Sequence, residues 1–468
     1  MDERRAGIIA SLAVLGIAAL VATLLLLRSY EAAIALYIIG FAVALSLIEP
    51  FAGLIIYLAY VYIRPHEFIP ALHGARLMLI VGGATFASMV VRRALRRQRL
   101  GLFESPQDRF MWWFFAAILV SHLSQLDFEN AFRSGYEFLS RLIFYFLVSK
   151  LISSEKKLRV FTGVFVVLTI VLAVQGIVQN YTGIGIGGQT LKDERIQSLA
   201  EFGNPNALAM ALLVALPFLF FDLINSRRMA TRVCLIAGLS VILFALYLTN
   251  SRGAMVGLGG MATVLFIRNV GWPKGVALGA AVFALIVLLG PSRMTTISPT
   301  EPSAYGRIQA WKTGFELLKS HPFFGVGAQA WGGAKYASAV AHNSFVHCAA
   351  ELGLFGLPAW VMLIFVSVKN MNFVSRRVSV TVPKTVNLFG EKVFFACLGW
   401  VVPMLFISKT YSALLYILIG LAVATTKIFV EKSEEEYVVL EKRDWLYGAL
   451  ITIAGLVVFK LFVIIIGV

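Results

Sequence analysis

The sequence has few charged residues. Only 14% of its 468 residues are Asp, Glu, Lys or Arg, whereas 59% are hydrophobic. Soluble domains are about 25% charged and about 45–50% apolar, so this composition excludes an ordinary soluble domain. Cysteine is also scarce: Cys234, Cys348 and Cys397 lie in separate apolar stretches without CxxC spacing. This excludes a disulfide framework and predicts that all three are buried as small hydrophobic residues.

Motifs for nucleotides and metals are absent as well. The sequence contains no Walker loop and no dinucleotide-type glycine fingerprint, and its serines lie outside any GxSxG context. His66, Glu67 and His73 share one loop, but their spacing fits no standard zinc pattern. We therefore expect no metal and no other cofactor. The net charge of +16 does not indicate nucleic-acid binding, because most of it lies in short loops between apolar segments.

Long apolar runs dominate what is present. A membrane-spanning helix needs about 20 apolar residues, and four runs reach or approach that length: Gly7–Leu27, Val233–Leu248, Val276–Gly290 and Tyr447–Val468. We interpret the first run as a retained span, because it is long for a signal peptide and lacks a convincing cleavage site. The sequence thus predicts an all-α polytopic membrane protein with about fourteen spanning segments, in a range of about 12–15.

Basic residues in short loops mark the cytoplasmic side of a membrane protein. Along this chain, basic loops alternate with loops of lower positive charge, which predicts a cytoplasmic amino terminus. The predicted cytoplasmic loops are Arg92–Arg99, Lys150–Arg159, Arg227–Arg232, Arg268–Lys274, Lys369–Lys384 and the mixed loop Glu431–Arg443. The predicted outer loops are Arg64–Arg76, Asp127–Tyr136, Tyr181–Pro205, Asn250–Arg252, Pro291–Ala341 and Lys409–Tyr411.

The largest outer loop, 291–341, is too polar and too rich in glycine and proline to span a membrane. Within it, Ile308, Trp311, Phe315 and Leu318 recur at helical spacing, with polar residues on the other face. This pattern predicts an amphipathic helix on the outer surface. The chain then divides into amino-terminal spans (1–160), central spans (161–290), this loop (291–341) and carboxy-terminal spans (342–468).

Arginine and histidine at the ends of apolar segments are candidates for function, because charge near a hydrocarbon core is expensive. Arg195, Arg252 and Arg307 come from three predicted outer loops. A guanidinium group matches phosphate oxygens with a rigid fork of donors. Three such groups converging from separate loops predict a clamp for pyrophosphate. The alternative is headgroup anchoring by snorkelling, which is most plausible for Arg195.

His342 is the candidate proton acceptor, because a histidine of near-neutral pKa can take a proton from a hydroxyl nucleophile. We expect a helix to begin at His342, with Asn343 capping it or orienting a sugar. Trp311 lies four residues after Arg307, on the same face of the predicted surface helix. Glu351 lies nine residues after His342, on the opposite face of an unbroken helix, so its link to the site is loose. An alternative partner for Glu351 is a basic group on a neighbouring span.

Several segments resemble the signature of the O-antigen ligase and polymerase superfamily. They are Tyr305–Trp311, His321–Gly327, His342–Phe345 and Glu351–Gly356, preceded by Phe202–Ala207 and Thr249–Ala254. In addition, Tyr62–Glu67 resembles a branch of O-glycosylation ligases that accompany exosortase systems. The resemblance implies a membrane glycosyltransferase of the GT-C type in the bacterial inner membrane. Such enzymes transfer a glycan from undecaprenyl pyrophosphate to an acceptor hydroxyl at the periplasmic face, without metal or ATP.

The resemblance also implies roles for individual residues. Arg252 and Arg307 would bind the pyrophosphate, and His342 would activate the acceptor. Arg195 is a looser match, because it lies farther from Phe202 than is usual in the family. The acceptor is a sugar of lipid A-core in the ligases, another lipid-linked glycan in the polymerases, and Ser or Thr in the protein O-glycosylation ligases.

We favour a ligase, although no motif in the chain encodes the acceptor. The expected partners are the lipid-linked glycan, the acceptor and membrane lipids. A transporter is the alternative from another class, since many apolar spans with buried charges suit one. Against it, the sequence shows no paired broken helices in two matching halves, and its charges cluster at one membrane face.

Overall fold

The computed structural model describes residues 3–26, 29–74, 76–290, 302–332, 340–377, 383–433 and 440–465. Parts of four predicted loops therefore lie outside the described residues, namely 75 of the loop 64–76, 291–301 and 333–339 of the large outer loop, 378–382 and 434–439. Within the described ranges the chain forms sixteen α-helices and a few short 3-10 turns, without a β-strand. The all-α fold class is confirmed.

The helices follow one another in a simple order. They are α1 (Glu3–Leu26), α2 (Tyr30–Ile48), α3 (Pro50–Ile63), α4 (Leu77–Leu95), α5 (Pro106–Leu123), α6 (Phe128–Leu151), α7 (Glu155–Thr182), α8 (Pro205–Asn225), α9 (Met229–Leu248), α10 (Arg252–Val270), α11 (Trp272–Leu289), α12 (Pro302–Ser320), α13 (Ser344–Arg376), α14 (Lys384–Val401), α15 (Ala413–Ser433) and α16 (Lys442–Ile465). Because α13 continues to Arg376, the loop predicted to begin at Lys369 is wrong at its start.

The length and composition of these helices make the chain a polytopic membrane protein. Nine of the described helices are long and apolar enough to cross a membrane, and three more contain shorter apolar stretches. Helices α8 and α15 form the centre of the bundle and are buried on nearly every face. This fits their sequences, because a helix that is apolar all round must be surrounded by other apolar groups.

The cysteines only partly follow the prediction. Cys348 and Cys397 are buried, but Cys234 is exposed on α9, so the prediction is wrong there. The neighbouring apolar side chains Val233 and Ile236 are exposed as well. This outward face of α9 carries apolar residues because it faces lipid rather than the protein core.

The two predicted sets of loops meet at opposite ends of the bundle. Among the basic loops, Arg93 Nη2 donates to the backbone oxygen of Lys150 at 3.4 Å, and Lys432 lies 3.5 Å from the Glu155 carboxylate. The other set, which we call the site end, comprises the described parts of residues 64–76, 124–136, 183–204, 249–251, 302–343 and 402–412. Its loops are joined by hydrogen bonds such as Asn343 Nδ2 to the Leu405 oxygen at 3.1 Å.

Helix α12 is amphipathic, as predicted, and is longer than the sequence pattern suggested. Ile308 and Trp311 are buried, whereas Lys312, Glu316 and Lys319 are exposed. The buried face packs on α13 and α16. The apolar residues of this helix therefore cover other helices at the site end, and the helix is part of the bundle.

Candidate functional site

Arg195, Arg252 and Arg307 line one cavity at the site end, which we call the arginine cavity. Three separate elements contribute them: a turn before α8, the first residue of α10 and the first half of α12. The structure thus brings together the three arginines selected from the sequence. The other lining residues are Asn206, Met210, Asn250, Ser251, Gly253, Ala254, Pro403, Phe406 and Ile407.

A tight turn presents Arg195 to the cavity. The backbone groups of Lys192 and Arg195 exchange two hydrogen bonds of 3.0 Å. The two central residues, Asp193 and Glu194, have φ angles of 51° and 59°. Positive φ is sterically unfavourable for residues with a side chain. The turn therefore stores strain while it holds Arg195 in a buried position, 8% exposed.

Asn206 connects two of the elements that surround the cavity. Its Oδ1 accepts hydrogen bonds from Arg195 Nη2 and from Ser251 Oγ, both at 2.8 Å. Asn206 is itself placed by the start of α8, where Asn204 Oδ1 accepts from the Asn206 backbone N–H at 2.9 Å. Arg195 Nε also donates to the Thr249 oxygen at 2.6 Å. A guanidinium that is held at two points needs little reorganisation when an anion binds.

The amino terminus of α10 adds positive potential to the arginine cavity. Ser251 is its N-cap residue, but the side chain makes no capping hydrogen bond, because its Oγ donates to Asn206. The first backbone N–H groups of a helix lack partners within the helix and carry partial positive charge. Gly253 allows this terminus to lie close to the segment that contains Phe406, since a Cβ at position 253 would lie 3.1 Å from the Cβ of Phe406. Backbone and side chains at the start of α10 thus favour an anion in the same place.

His342 lies beside the arginine cavity and is not among its lining residues. Its backbone has a φ of 46°, and α13 begins two residues later, at Ser344, so the predicted helix start is wrong by two residues. The prediction that Asn343 caps the helix is confirmed. Its Oδ1 accepts from the backbone N–H groups of Phe345 and Val346 at 2.9 and 3.1 Å.

The surroundings of His342 favour its neutral form. Burial lowers the pKa of His342 below its ordinary value, and the positive charges of Arg307 and Lys192 lower it further. A neutral imidazole keeps one ring nitrogen that can accept a proton. The site end thus combines a cationic cavity with a proton acceptor close to Arg307, as general-base chemistry on a substrate with an anionic leaving group requires.

Trp311 points away from the arginine cavity. Its Nε1 donates to the backbone oxygen of Ala341 at 2.7 Å, and its ring lies 5.1 Å from that of Phe459 and 5.6 Å from that of Phe462 on α16. Ala341 immediately precedes His342. Trp311 therefore anchors the segment that carries His342 and makes no contact that would bind an anion.

The Glu351 carboxylate is fully buried and organises a loop. It accepts hydrogen bonds from the backbone N–H groups of Gln329 at 2.9 Å and Trp331 at 3.1 Å, and from the Tyr411 hydroxyl at 2.7 Å. Its basic partner is His347, at 3.2 Å and one turn earlier on the same helix. Glu351 therefore pairs within its own helix, whereas the sequence had suggested a basic group on a neighbouring span as one alternative. The spacing of four residues was the signal available in the sequence.

Two parts of the site were not predicted. Asn206 belongs to the segment Phe202–Ala207, but its role as a shared acceptor follows only from the packing of α8 against α10. The segment with Pro403, Phe406 and Ile407 closes the cavity and carries no charged residue that would have drawn attention to it. Within the described ranges no group of three or more His, Cys, Asp or Glu residues is arranged to hold a metal ion.

A family model described as O-antigen ligase matches residues 237–361 of the chain. The matched segment contains Arg252, Arg307 and His342, whereas Arg195 and Asn206 precede it. No curated protein sequence matches the chain.

Proposed function

Because the chain belongs to the O-antigen ligase superfamily, we propose that it is a glycosyltransferase that moves a glycan from undecaprenyl pyrophosphate to an acceptor hydroxyl. The observation that carries the proposal is the convergence of Arg195, Arg252 and Arg307 on one cavity beside His342. The preferred acceptor is a sugar of lipid A-core. Polymerisation of lipid-linked glycans and protein O-glycosylation are the alternatives within the superfamily.

In the proposed reaction the acceptor oxygen attacks the anomeric carbon of the donor sugar. The bond between that carbon and the phosphate oxygen breaks, and undecaprenyl pyrophosphate leaves with the electron pair. His342 takes the proton of the acceptor hydroxyl and releases it to solvent after transfer. Arg252 and Arg307 stabilise the negative charge that develops on the leaving oxygen, and Arg195 supports them from its fixed position. Preorganised donors of this kind are worth about 100- to 1,000-fold each in rate.

The long lipid of the donor requires an apolar path next to the arginine cavity. An apolar groove runs between α13, α14 and α16, and its end at the site end includes Leu405. The next residue, Phe406, lines the arginine cavity. A donor whose pyrophosphate occupies the cavity can therefore place its prenyl chain along the groove. We propose that the site end faces the periplasm of an inner-membrane protein.

The test is a transfer assay in proteoliposomes. Purified protein receives undecaprenyl-pyrophosphate-linked glycan together with lipid A-core or a second lipid-linked glycan, in the presence of EDTA and without nucleotide. Glycosylated lipid A-core identifies a ligase, and longer lipid-linked chains identify a polymerase. Arg252→Gln and Arg307→Gln are each expected to lose at least about 100-fold in rate.

Arg232→Gln is the matched control, because Arg232 is exposed at the opposite end of the bundle. It is expected to transfer at the wild-type rate. Wild-type rates in both the Arg252 and the Arg307 variants would contradict the proposal, as would the absence of any product with either acceptor.

A further inference from the structure

A second polar cavity, of about 300 Å³, lies at the site end. We call it the second cavity. Small-ligand sites have volumes of about 300–1,000 Å³, so it is large enough for a sugar residue. Ile407 lines the arginine cavity and Ser408 lines the second cavity. Because consecutive Cα atoms are about 3.8 Å apart, a single backbone segment separates the two cavities.

The lining of the second cavity carries an excess of positive charge. Among the described lining residues, Arg64, Arg141 and Lys409 are cations and Glu201 is the one carboxylate. The remaining titratable side chains are His347, Tyr57 and Tyr411. Arg64 comes from the segment Tyr62–Glu67, which the proposed transfer chemistry does not use. Three cations from α6 and from two loops thus surround one space at the site end.

Two of these cations have no carboxylate partner in the part of the chain that the structure describes. Arg141 Nη1 donates to the backbone oxygen of Glu137 and, at 3.4 Å, to Ser140 Oγ. Lys409 Nζ donates to the backbone oxygen of Glu201 at 2.7 Å. Burial lowers the pKa of Lys409, and the charge of Glu201 only partly opposes this effect. A half-buried cation without a direct carboxylate contact is unfavourable, and a bound anion would relieve it.

Two buried polar atoms around the second cavity lack hydrogen-bond partners among the described residues. They are Arg64 Nε and Ser408 Oγ. The Arg64 guanidinium lies 2.8 Å from Glu67, so its position is fixed while its Nε stays unsatisfied. Buried donors in native proteins nearly always have a partner. A ligand with acceptor oxygens would supply the missing partners.

The second cavity is tied to the segment that carries His342. Ser344, two residues after His342, donates to the Ile407 oxygen at 2.6 Å and accepts from the Lys409 backbone N–H at 2.8 Å. Thr410 Oγ1 donates to the Ser344 oxygen at 3.1 Å. A glycan bound in the second cavity therefore lies across one chain segment from the start of α13 and from the arginine cavity.

We propose that the second cavity binds a carboxylate or phosphate group carried by the acceptor glycan. This inference rests on the proposed function for the identity of the acceptor, whereas the binding of an acidic sugar follows from the cavity itself. With the donor pyrophosphate in the arginine cavity, an acceptor anchored at Arg141 and Lys409 would present a hydroxyl towards His342. The enzyme would then prefer acidic acceptors over neutral ones.

The binding test measures the melting temperature of the purified protein with three sugars: glucuronate, glucose 6-phosphate and glucose. One or both acidic sugars should raise the melting temperature, and the one that does identifies the anion, whereas glucose should leave it unchanged. The shift should disappear in Arg141→Gln and Lys409→Gln. It should persist in Arg133→Gln, the matched control, because Arg133 is exposed on the same helix as Arg141 and pairs with Glu137.

Undecaprenyl pyrophosphate serves as a fourth ligand that separates this inference from the proposed function. Its shift should depend on Arg252 and persist in Arg141→Gln. If it produces no shift while an acidic sugar does, the proposed donor is wrong and the second site stands. If no acidic sugar produces a shift, if glucose matches them, or if the shift depends on Arg252 instead of Arg141, the inference is overturned.

The variants must fold for these comparisons to hold. Arg141→Lys keeps the charge and should retain part of the shift, which a merely structural role of Arg141 would not predict.

In the transfer assay, Arg141→Gln should raise the KM for an acidic acceptor by about tenfold, the effect of losing 1.4 kcal/mol of binding. The KM for the donor should stay at the wild-type value. A change in the donor KM alone would mean that the second cavity binds the glycan of the donor, and it would overturn the assignment to the acceptor.

Discussion

Replacing Asn206 by alanine should slow glycan transfer although Asn206 is expected to touch no reacting atom. Its Oδ1 accepts from Arg195 Nη2 and Ser251 Oγ, so the alanine variant removes the shared acceptor of two site elements. A hydrogen bond to a charged group contributes about 1.5–3 kcal/mol. If this orientation is lost where charge develops in the transition state, the rate falls by about 10- to 150-fold, since about 1.4 kcal/mol corresponds to a factor of ten.

Neighbouring variants make this prediction specific. Ser251→Ala removes only the neutral hydrogen bond, worth about 1 kcal/mol, and should cost about fivefold or less. Asn206→Asp keeps an acceptor for Arg195, but its negative charge repels pyrophosphate, so it should weaken donor binding more than Asn206→Ala does. The assay is transfer from labelled lipid-linked glycan in proteoliposomes, with KM and kcat determined separately for the donor.

The reasoning requires that Asn206 acts through Arg195. In a double-mutant cycle, Asn206→Ala should therefore add little to the loss already caused by Arg195→Gln. Full additivity of the two losses would refute the argument, as would a wild-type rate for Asn206→Ala. A lower melting temperature without a lower rate would show that Asn206 only stabilises the junction between α8 and α10.

Two further predictions concern His342 and its anchor. The pKa of His342 is lowered, and its neutral form is the base. The rate constant kcat/KM should therefore rise with pH with a midpoint below the ordinary value of 6.5, and it should stay constant at higher pH. A midpoint above 6.5 would exclude His342 as this base. Trp311→Phe keeps an aromatic ring beside Phe459 and Phe462 but loses the hydrogen bond to Ala341, worth about 1 kcal/mol. The kcat should therefore fall by about fivefold with the donor KM unchanged. An unchanged kcat would show that this bond does not position His342.

The apolar pattern was sufficient to predict most of the fold. Gly7–Leu27 and Val233–Leu248 correspond to α1 and α9 within a few residues, because a run of apolar side chains can satisfy its backbone in lipid only as a helix. Helix lengths and loop charges also separated the loops into two sets, which the structure places at opposite ends. The boundary at Lys369 was wrong, because a basic residue near a helix end can stay helical and reach the interface.

The candidate site was predictable in its charges and unpredictable in its partners. Arg195, Arg252 and Arg307 were identifiable because each lies in or at the edge of a predicted outer loop, where a charged group near the membrane suggests a function. The contacts of Asn206 and Arg141 depend on how α6, α8 and α10 pack, and no local pattern encodes that packing. Arg141 in particular lies within a helix, where the sequence alone does not distinguish a residue that lines a cavity from one that faces lipid.

Backbone strain at His342 leads to a last prediction, which separates the role of its side chain from that of its backbone. His342 has a φ of 46°, and the neighbouring lining residue Asn250 has a φ of 50°. Such conformations cost about 1–3 kcal/mol of strain for a residue with a side chain. Glycine adopts them without strain, but its more flexible unfolded chain lowers the free energy of unfolding by about 0.4–1 kcal/mol. Strained residues collect at functional sites, where the surrounding contacts hold them in place.

His342→Gly and His342→Ala both remove the imidazole, so both should abolish transfer. Only the glycine variant relieves the strain, and its free energy of unfolding should exceed that of His342→Ala by about 1 kcal/mol. At an ordinary helical or extended position the order is reversed, because glycine is less stable than alanine there by about 0.5–1 kcal/mol. Denaturant unfolding of the two variants in the same detergent measures the difference. Greater stability of His342→Ala would show that the backbone at this position is unstrained, and the left-handed turn would then not be what holds the histidine beside Arg307.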